Sequence, residues 1–389
     1  MMPKKNDACE FFVETLNAWF ARSGRDLPWR HDSTPYQVWV SELMLQQTQV
    51  ETVKPYYARW MESFPDLETL ARAPIEEVMR LWAGLGYYRR ARYLHEGARY
   101  LVEKCGGQFP GDMAGLRRIP GVGAYTAGAI GSFAFGWNVA AVDGNVERVL
   151  ARYFGIEESV SSGSGRAALV EVADRVARVG HASSVNQAMM DLGSGMCGRR
   201  ARCDGCPLES RCFARVHGCA DRLPCKKARA DKDDEYRAAM VMHADDGTVW
   251  IARRREGALL GGLWEFPMVR LWRGAHGEAS DTEVFERPRG AQWRAIWGEG
   301  MRWRDTGLRV DHVFTHIRMK VAIDEGRGAS CTGEPEAAWL ERALGSEYET
   351  PVRVSVEEIP RSYAVSSLMS KILAAYAAHP KRAVLAGGQ

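Results

Sequence analysis

Four cysteines, Cys197, Cys203, Cys206 and Cys212, stand within sixteen residues at the spacing C-x5-C-x2-C-x5-C. Four thiolates in so short a loop suit a 4Fe–4S cluster or a zinc ion. A second feature is a single carboxylate. Glu42 lies among Trp39, Val40, Leu43, Met44 and Leu45. Apolar surroundings disfavour the charged form of a carboxyl group and raise its pKa, which suits a general acid near neutral pH. The residue types alone leave a solvated helix-face glutamate equally open. A third feature is the run LRRIPGVGAYTAGAIGSFAF, Leu116 to Phe135. Pro120 ends one helix, Gly121 and Gly123 make a tight turn, and an Ala/Gly-rich helix follows. Backbone without Cβ lets a ligand approach closely, and the N–H groups opening the second helix face outward, ready for an anion. Asp143, in Val142-Asp143-Gly144-Asn145, stands where an aspartate ordinarily caps a helix.

These side chains need elements to position them. Residues 8–220 read as a bundle of short helices, with apolar residues at helical spacing in Phe11–Phe20 and from Tyr36 to Trp60. Pro74 marks the first turn of a helix over Ile75–Leu81. Residues 221–235 are a charged linker, with Arg222, Lys226, Lys227, Arg229 and Lys232 leading into Asp233, Asp234 and Glu235. Beyond it the pattern shortens to strands at Ala238–His243, Thr248–Ala252, Arg309–Phe314 and Lys320–Ile323, with glycine turns and bulky residues such as Trp339. An α+β domain is expected over 236–375, and a disordered tail over 376–389.

The 389 residues are too many for one ordinary core. Net charge is only +3, so the overall balance does not announce nucleic acid. Arginine outnumbers lysine about fourfold, mostly in the first 230 residues. That suits bidentate phosphate contacts, although a GC-rich genome would produce the same bias. The polar start and the lack of a long apolar run argue against a signal peptide and a membrane span. A cytosolic chain is expected, so its nine cysteines are not read as disulfides.

Taken together, LPWR (Leu27–Arg30), VWVSELMLQQTQV (Val38–Val50), GLGYYRRAR (Gly84–Arg92), VDGNVERVLAR (Val142–Arg152) and NQAMMDLGSGMC (Asn186–Cys197) resemble the successive signature blocks of MutY-type adenine DNA glycosylases, and the glycine hairpin resembles the helix-hairpin-helix motif of DNA repair glycosylases. The resemblance spans about residues 10–370. It implies a multidomain architecture: an all-α helix-hairpin-helix glycosylase domain with an iron–sulfur cluster loop, then an α+β Nudix-like domain. The helical part would divide into a cluster-bearing subdomain (8–34 with 140–220) and a six-helix subdomain (35–139). The resemblance makes Glu42 the acid that protonates adenine N7. It makes Asp143 the carboxylate that stabilises the sugar cation, as in the paired carboxylates of glycosidases. Asn145 is its polar support, and Tyr125 occupies the hairpin position beside the sugar. Gln46, Gln47 and Tyr87 become wedges opposite a flipped base. Trp29, Arg30 and Gln187 line the adenine pocket, and Gly121 and Gly123 hold a phosphate. The four cysteines hold a 4Fe–4S cluster, although the family's usual spacing has six residues in the first gap and a proline there. Phe314, Thr315 and His316 resemble a loop that reads 8-oxoguanine, with Thr315 standing for the usual serine. The implied partner is double-stranded DNA carrying A:8-oxoguanine or A:G mispairs. The implied protein is a bacterial, cytoplasmic, nucleoid-associated monomer.

Two other enzyme readings fare worse. A glycosylase-lyase of the endonuclease III type needs a lysine after the hairpin to form a Schiff base. Tyr125 stands there, and no lysine occurs between Lys104 and Lys226. A Nudix hydrolase needs an acidic run to hold magnesium, and 236–375 has none. A non-enzymatic scaffold would have no use for Glu42 with Asp143.

Overall fold

The computed structural model describes residues 5–31, 33–226, 231–244, 246–297, 301–327 and 347–379. Trp339, the linker residues Lys227 and Arg229, and the tail from 380 onward lie outside the described residues. The chain divides into two units: Met1–Val78 with Arg89–Ala228, and Met79–Tyr88 with Arg229–Gln389. The short stretch Met79–Tyr88, inside the expected 35–139 subdomain, thus groups with the second unit.

The first unit is helical. Its elements are α1 (Lys5–Ser23), α2 (Pro35–Leu45), α3 (Val50–Ser63), α4 (Leu67–Arg72), α5 (Ile75–Trp82, whose end falls in the second unit), α6 (Arg89–Cys105), α7 (Met113–Leu116), α8 (Ala124–Ala129), α9 (Gly144–Phe154), α10 (Gly163–Val179), α11 (Ala182–Ser194) and α12 (Phe213–Val216). Local chemistry sets the ends that matter. Thr34 and Gln37 form a reciprocal capping box and Pro35 occupies the first turn, so α2 starts at a defined residue. Asp143 caps α9 with bonds from the backbone of Asn145 (2.9 Å) and Val146 (2.8 Å). Gly155, at φ +69°, stops that helix in the left-handed conformation. The segment from Tyr36 to Trp60 is two helices broken at Gln46–Gln49. Gln47 adopts φ +58° there, which a helix cannot absorb. One apolar core joins α1 (Phe12, Val13, Leu16) to α9, α10 and α11 (Val149, Leu169, Val185, Met189), so the start of the chain packs beside the cysteine loop.

Among the described residues, the second unit is built on a seven-stranded sheet. Its strands are β1 (Asp233–His243), β2 (Val249–Arg254), β3 (Trp264–Glu265), β4 (Met268–Gly274), β5 (Arg302–Val313), β6 (Ile317–Arg327) and β7 (Tyr348–Val354). The path runs β3-β2-β1-β6-β5, with β4 paired to β1 and β7 to β2. β1 and β6 pair in parallel along their whole length, from Asp233 opposite Ile317 to His243 opposite Arg327. Successive β1 side chains enter opposite cores. Ala239 and Val241 meet the helix Ser367–Ala377, whereas Tyr236, Ala238, Met240 and Met242 meet helices Asp281–Phe285 and Gly290–Trp297. Covering both faces explains why β1 reads as the unbroken run Ala-Ala-Met-Val-Met. No helix among the described residues is long and apolar enough to cross a membrane.

Candidate active site

Glu42 projects from α2, where every other residue is uncharged. It is 5% exposed. Tyr125, the second residue of α8, donates its hydroxyl to Glu42 Oε2. Burial pushes Glu42 up to about 7; Asp143 adds to the rise, while the Tyr125 hydrogen bond and the positive charge of Arg30 oppose it. Burial also holds the Tyr125 phenol protonated far above its ordinary range, with the Glu42 and Asp143 charges reinforcing it. Tyr125 is therefore a donor only at any working pH, and Glu42 is poised to carry a proton near neutrality.

Asp143 takes the capping role that its residue type allowed. Its Oδ1 caps α9, and its Oδ2 accepts from Asn145 Nδ2 at 2.7 Å. Burial raises its pKa, and the bonds from Val146 and Asn145 pull it back. Gly193 of α11 brings that helix onto Asn145: a Cβ there would sit 2.7 Å from the Asn145 Cβ. Asn145 Oδ1 in turn accepts from Arg148 Nη2 at 2.9 Å. Arg148 Nε donates to the carbonyl of Cys197 at 2.7 Å. Sequence reasoning missed Arg148, whose partners come from three separate segments.

Several other candidate residues belong to the same unit. Trp29 is buried in a short turn, Pro28–Arg30, its ring edge-on to Tyr57 at 5.3 Å. Arg30 faces Glu42 electrostatically, although its guanidinium is bonded to Asp191. Gln187 is half-buried on α11 and its amide nitrogen donates to Ser183 at 3.3 Å. Gln46 ends α2 and Gln47 follows in the left-handed region. Arg90, buried on α6, fastens this loop by donating to the carbonyls of Leu43 and Met44 (both 2.8 Å) and to Gln46 O. Nothing in the spacing of the GLGYYRRAR run distinguishes Arg90 from its neighbours. In the hairpin, Gly121 takes φ +78°, and a Cβ there would fall 2.4 Å from the Tyr93 Cβ. Gly123 has open space around it.

The four cysteines line one cavity, together with Arg152, Met196 and Arg202. Among the described residues, no three His, Cys, Asp or Glu side chains converge on a single point as one ion requires. The thiols instead ring a space. Burial first, and then the neighbouring thiols Cys197, Cys212 and Cys203, push Cys206 up to about 11, so their joint ionisation calls for a cationic group among them. Arg152, 3% exposed, knits the loop by donating to the carbonyls of Cys197 (3.2 Å), Gly198 (2.7 Å) and Arg199 (3.1 Å), and to Cys197 Sγ (3.4 Å).

In the second unit, Phe314, Thr315 and His316 form the turn between β5 and β6. The Phe314 N–H donates to Ile317 O at 2.8 Å and its carbonyl accepts from Lys232 Nζ at 2.8 Å. Tyr87, 46% exposed and at φ +48°, shares a 2.9 Å hydrogen bond with the Thr315 hydroxyl. Tyr88 is buried and donates to Val365 O at 2.7 Å, a packing role. Arginines hold several carboxylates of this unit. Glu265 accepts from Arg254 at 2.7 Å, and Arg237 and Arg254 share Glu347 at 3.1 Å each.

Residues 40–173 match the HhH-GPD superfamily of base excision DNA repair proteins, and residues 238–375 match the NUDIX domain. The adenine DNA glycosylase of Rattus norvegicus is 35% identical over 432 residues, covering 95% of this chain and 78% of the rat protein. That of Homo sapiens is 35% identical over 431 residues, covering 94% and 74%. A solved thermostable thymine-DNA glycosylase has a similar fold, with a TM-score of 0.50 at 30% identity over 55% of this chain and 98% of its own.

Proposed function

As the chain belongs to the adenine DNA glycosylase family, we propose that it excises adenine paired with 8-oxoguanine or guanine from duplex DNA by hydrolysis alone, leaving an intact abasic site. The observation that carries this reading is Glu42: a fully enclosed carboxyl held near neutrality, with Tyr125 and Asp143 as its neighbours. A neutral Glu42 gives its proton to adenine N7, which turns the base into a neutral leaving group. As the C1′–N9 bond breaks, Asp143, ionised and bonded to Asn145, faces the oxocarbenium-like charge on the sugar; water then adds at C1′ and gives its proton to the Glu42 carboxylate, which restores the acid. Tyr125 holds Glu42 in a single rotamer as it changes charge.

The other sequence candidates take supporting roles in this proposal. Gln46, Gln47 and Tyr87 enter the duplex as the adenine leaves the stack, which relieves the cost of unpairing. Trp29, Arg30 and Gln187 wall the adenine pocket; a Gln amide suits a base with adjacent donor and acceptor atoms. Phe314, Thr315 and His316 meet 8-oxoguanine, with the Thr315 hydroxyl as the hydrogen-bonding group. Gly121 and Gly123 let a phosphate approach the hairpin backbone. Cys197, Cys203, Cys206 and Cys212 would hold a 4Fe–4S cluster. Bound there, it supplies the charge that keeps four thiolates together and fixes the basic loop of Arg199, Arg200 and Arg202. The second unit binds rather than hydrolyses, because its buried Glu265 is already neutralised by Arg254, and the half-exposed Glu347 by Arg237 and Arg254.

Base release from duplexes carrying A opposite 8-oxoguanine, G, C or T, with and without alkali, tests the reading. Strand breaks should appear only after alkali. Tyr125→Lys should place an amine beside the sugar and increase borohydride-trapped enzyme–DNA complex. Nicking by the wild type at the rate of base release would overturn the hydrolysis-only assignment. A brown protein with about four irons per chain is expected; a colourless one holding a single zinc would overturn the cluster.

A further inference from the structure

Asp191 has no part in the chemistry above, yet it holds Arg30, one of the residues proposed to wall the adenine pocket. It lies on α11, one turn beyond Gln187. Its Oδ2 accepts from the backbone N–H of Arg25 at 3.0 Å and from Arg30 Nη1 at 2.9 Å. Its Oδ1 accepts from Arg25 Nε and Arg30 Nη2, both at 2.8 Å, and from Arg25 Nη2 as well. Arg30 Nη1 also donates to the Arg25 carbonyl at 2.9 Å, and its guanidinium covers the Phe20 ring at 5.2 Å. One carboxylate from α11 therefore closes the Arg25–Arg30 turn and fixes the side chain that follows Trp29.

The exposures decide what this clamp does electrostatically. The Arg25 side chain is 39% exposed, so solvent screens much of its charge. Arg30 is 13% exposed and Asp191 3%, so these two charges answer mainly to each other. Burial works against ionisation of Asp191, and the bonds from Arg30 and Arg25 outweigh it, so the carboxylate stays charged. The charged and titratable groups facing Glu42 are Tyr125 from α8, Asp143 at the head of α9, and Arg30; α2 itself contributes none. Arg30 is the cation among them.

We propose that Asp191 is a positioning residue for base release: it fixes Arg30 and offsets part of the guanidinium charge that Glu42 feels. This rests on the reading of Glu42 as the acid. An unneutralised Arg30 would favour the Glu42 carboxylate, and the enzyme would lose its proton donor at a lower pH. An isolated structural clamp would instead scale the rate without moving its pH dependence.

The test is single-turnover excision from an A:8-oxoguanine duplex between about pH 5.5 and about pH 9, with binding measured on a 2′-fluoro-deoxyadenosine duplex that resists cleavage. Asp191→Asn should move the alkaline limb down by ~0.5–1 pH unit. The rate should fall ~3–10-fold near pH 8, by less than ~2-fold near pH 6, and duplex affinity should change less than ~3-fold. Asp191→Glu, which keeps the charge, should restore the limb. Should Asp191→Asn unfold early, Arg30→Gln carries the test, because removing the cation must move the limb upward. A rate loss uniform in pH, a limb unmoved in Asp191→Asn, or a limb that Asp191→Glu fails to restore would overturn the proposal. Undiminished excision by Glu42→Gln would instead sink the acid reading, whatever the Asp191 variants do.

Discussion

Glu42 in the helical unit and Glu325 in the sheet unit are almost equally hidden, at 5% and 2% exposure, and they are pushed in opposite directions. Burial raises Glu42 to about 7, with one phenol as its close hydrogen-bond donor. Burial pushes the same way at Glu325, but bonds from His243, Tyr376 and Arg304 overcome it and hold the carboxylate at about 2. Desolvation is common to both; the partners decide the charge. The sheet unit uses its buried carboxylates as crosslinks between strands, since Arg304 on β5 reaches Glu325 on β6 and Arg254 on β2 reaches Glu265 on β3. The helical unit leaves Glu42 short of cations, which costs stability and leaves a proton available. Asp191 lies in the helical unit and follows the sheet pattern: two arginines hold it ionised. The contrast is therefore local.

The largest effect expected from this contrast is on chemistry. Glu42→Gln keeps the shape and removes the proton, and a positioned acid is worth ~10²–10⁴-fold in rate. Excision should fall by at least that range while binding to a lesion duplex persists. Excision within threefold of wild type would break the assignment. Asp143→Asn should also lose turnover and keep binding; a variant that merely fails to fold would reduce Asp143 to its capping role. In wild type the rate should fall above about pH 7, as Glu42 loses its proton. It should also fall on the acid side, above the ordinary aspartate range, because Asp143 is raised and must be ionised.

A smaller effect is expected in the sheet unit, with the opposite sign from that of its counterpart. Glu325→Gln removes a charge that three donors stabilise, and breaking a buried pair leaves Arg304 and His243 facing a neutral amide. The cost should be about 2–3 kcal/mol at pH 7. Glu325 is depressed in the folded state, so its contribution is complete above the unfolded value near 4.5 and disappears as pH falls through about 2. The gap between wild type and variant in denaturant melts should therefore close on acidification. A gap that persists unchanged to pH 2 would mean that Glu325 acts through packing.

This contrast was half legible in the amino-acid sequence. Glu42 is the one charge in an apolar helix and Asp143 precedes a glycine at a helix start, so both could be singled out. The arginines that neutralise the other carboxylates could not. Arg25 and Asp191 are 166 positions apart, and Arg254 and Glu347 are 93. Only the fold brings them together. The same limit applies to Arg90, Arg148 and Arg152, whose acceptors are mostly backbone carbonyls, which every residue carries. In the sheet unit the apolar strands β1, β2 and β6 were readable by pattern. β7 was not, since Pro351 inside it argues against a strand. β4 was hidden by Arg270 and Arg273 between its apolar residues.

The smallest effect is the cost to folding of an acid short of cations. Glu42 is raised in the folded state, so its stabilising contribution is complete below the unfolded value near 4.5 and is lost as pH rises through about 7. A shift of this size corresponds to roughly 3 kcal/mol when fully developed. Glu42→Gln should escape most of that cost, because the amide oxygen can still accept from Tyr125. Relaxation and water entry around a buried charge soften such a figure, so the net gain should be about 2 kcal/mol. In a unit of this size that raises Tm by about 5 °C. The gain should be negligible near pH 4.5, grow up to about pH 7, and then stay level. The variant that abolishes base release should thus be more stable than wild type at pH 8 and indistinguishable from it at pH 4.5. A gain that is the same at both pH values would mean that the substituted amide packs better for reasons unconnected with charge. The proton held by Glu42 would then have no energetic signature in folding.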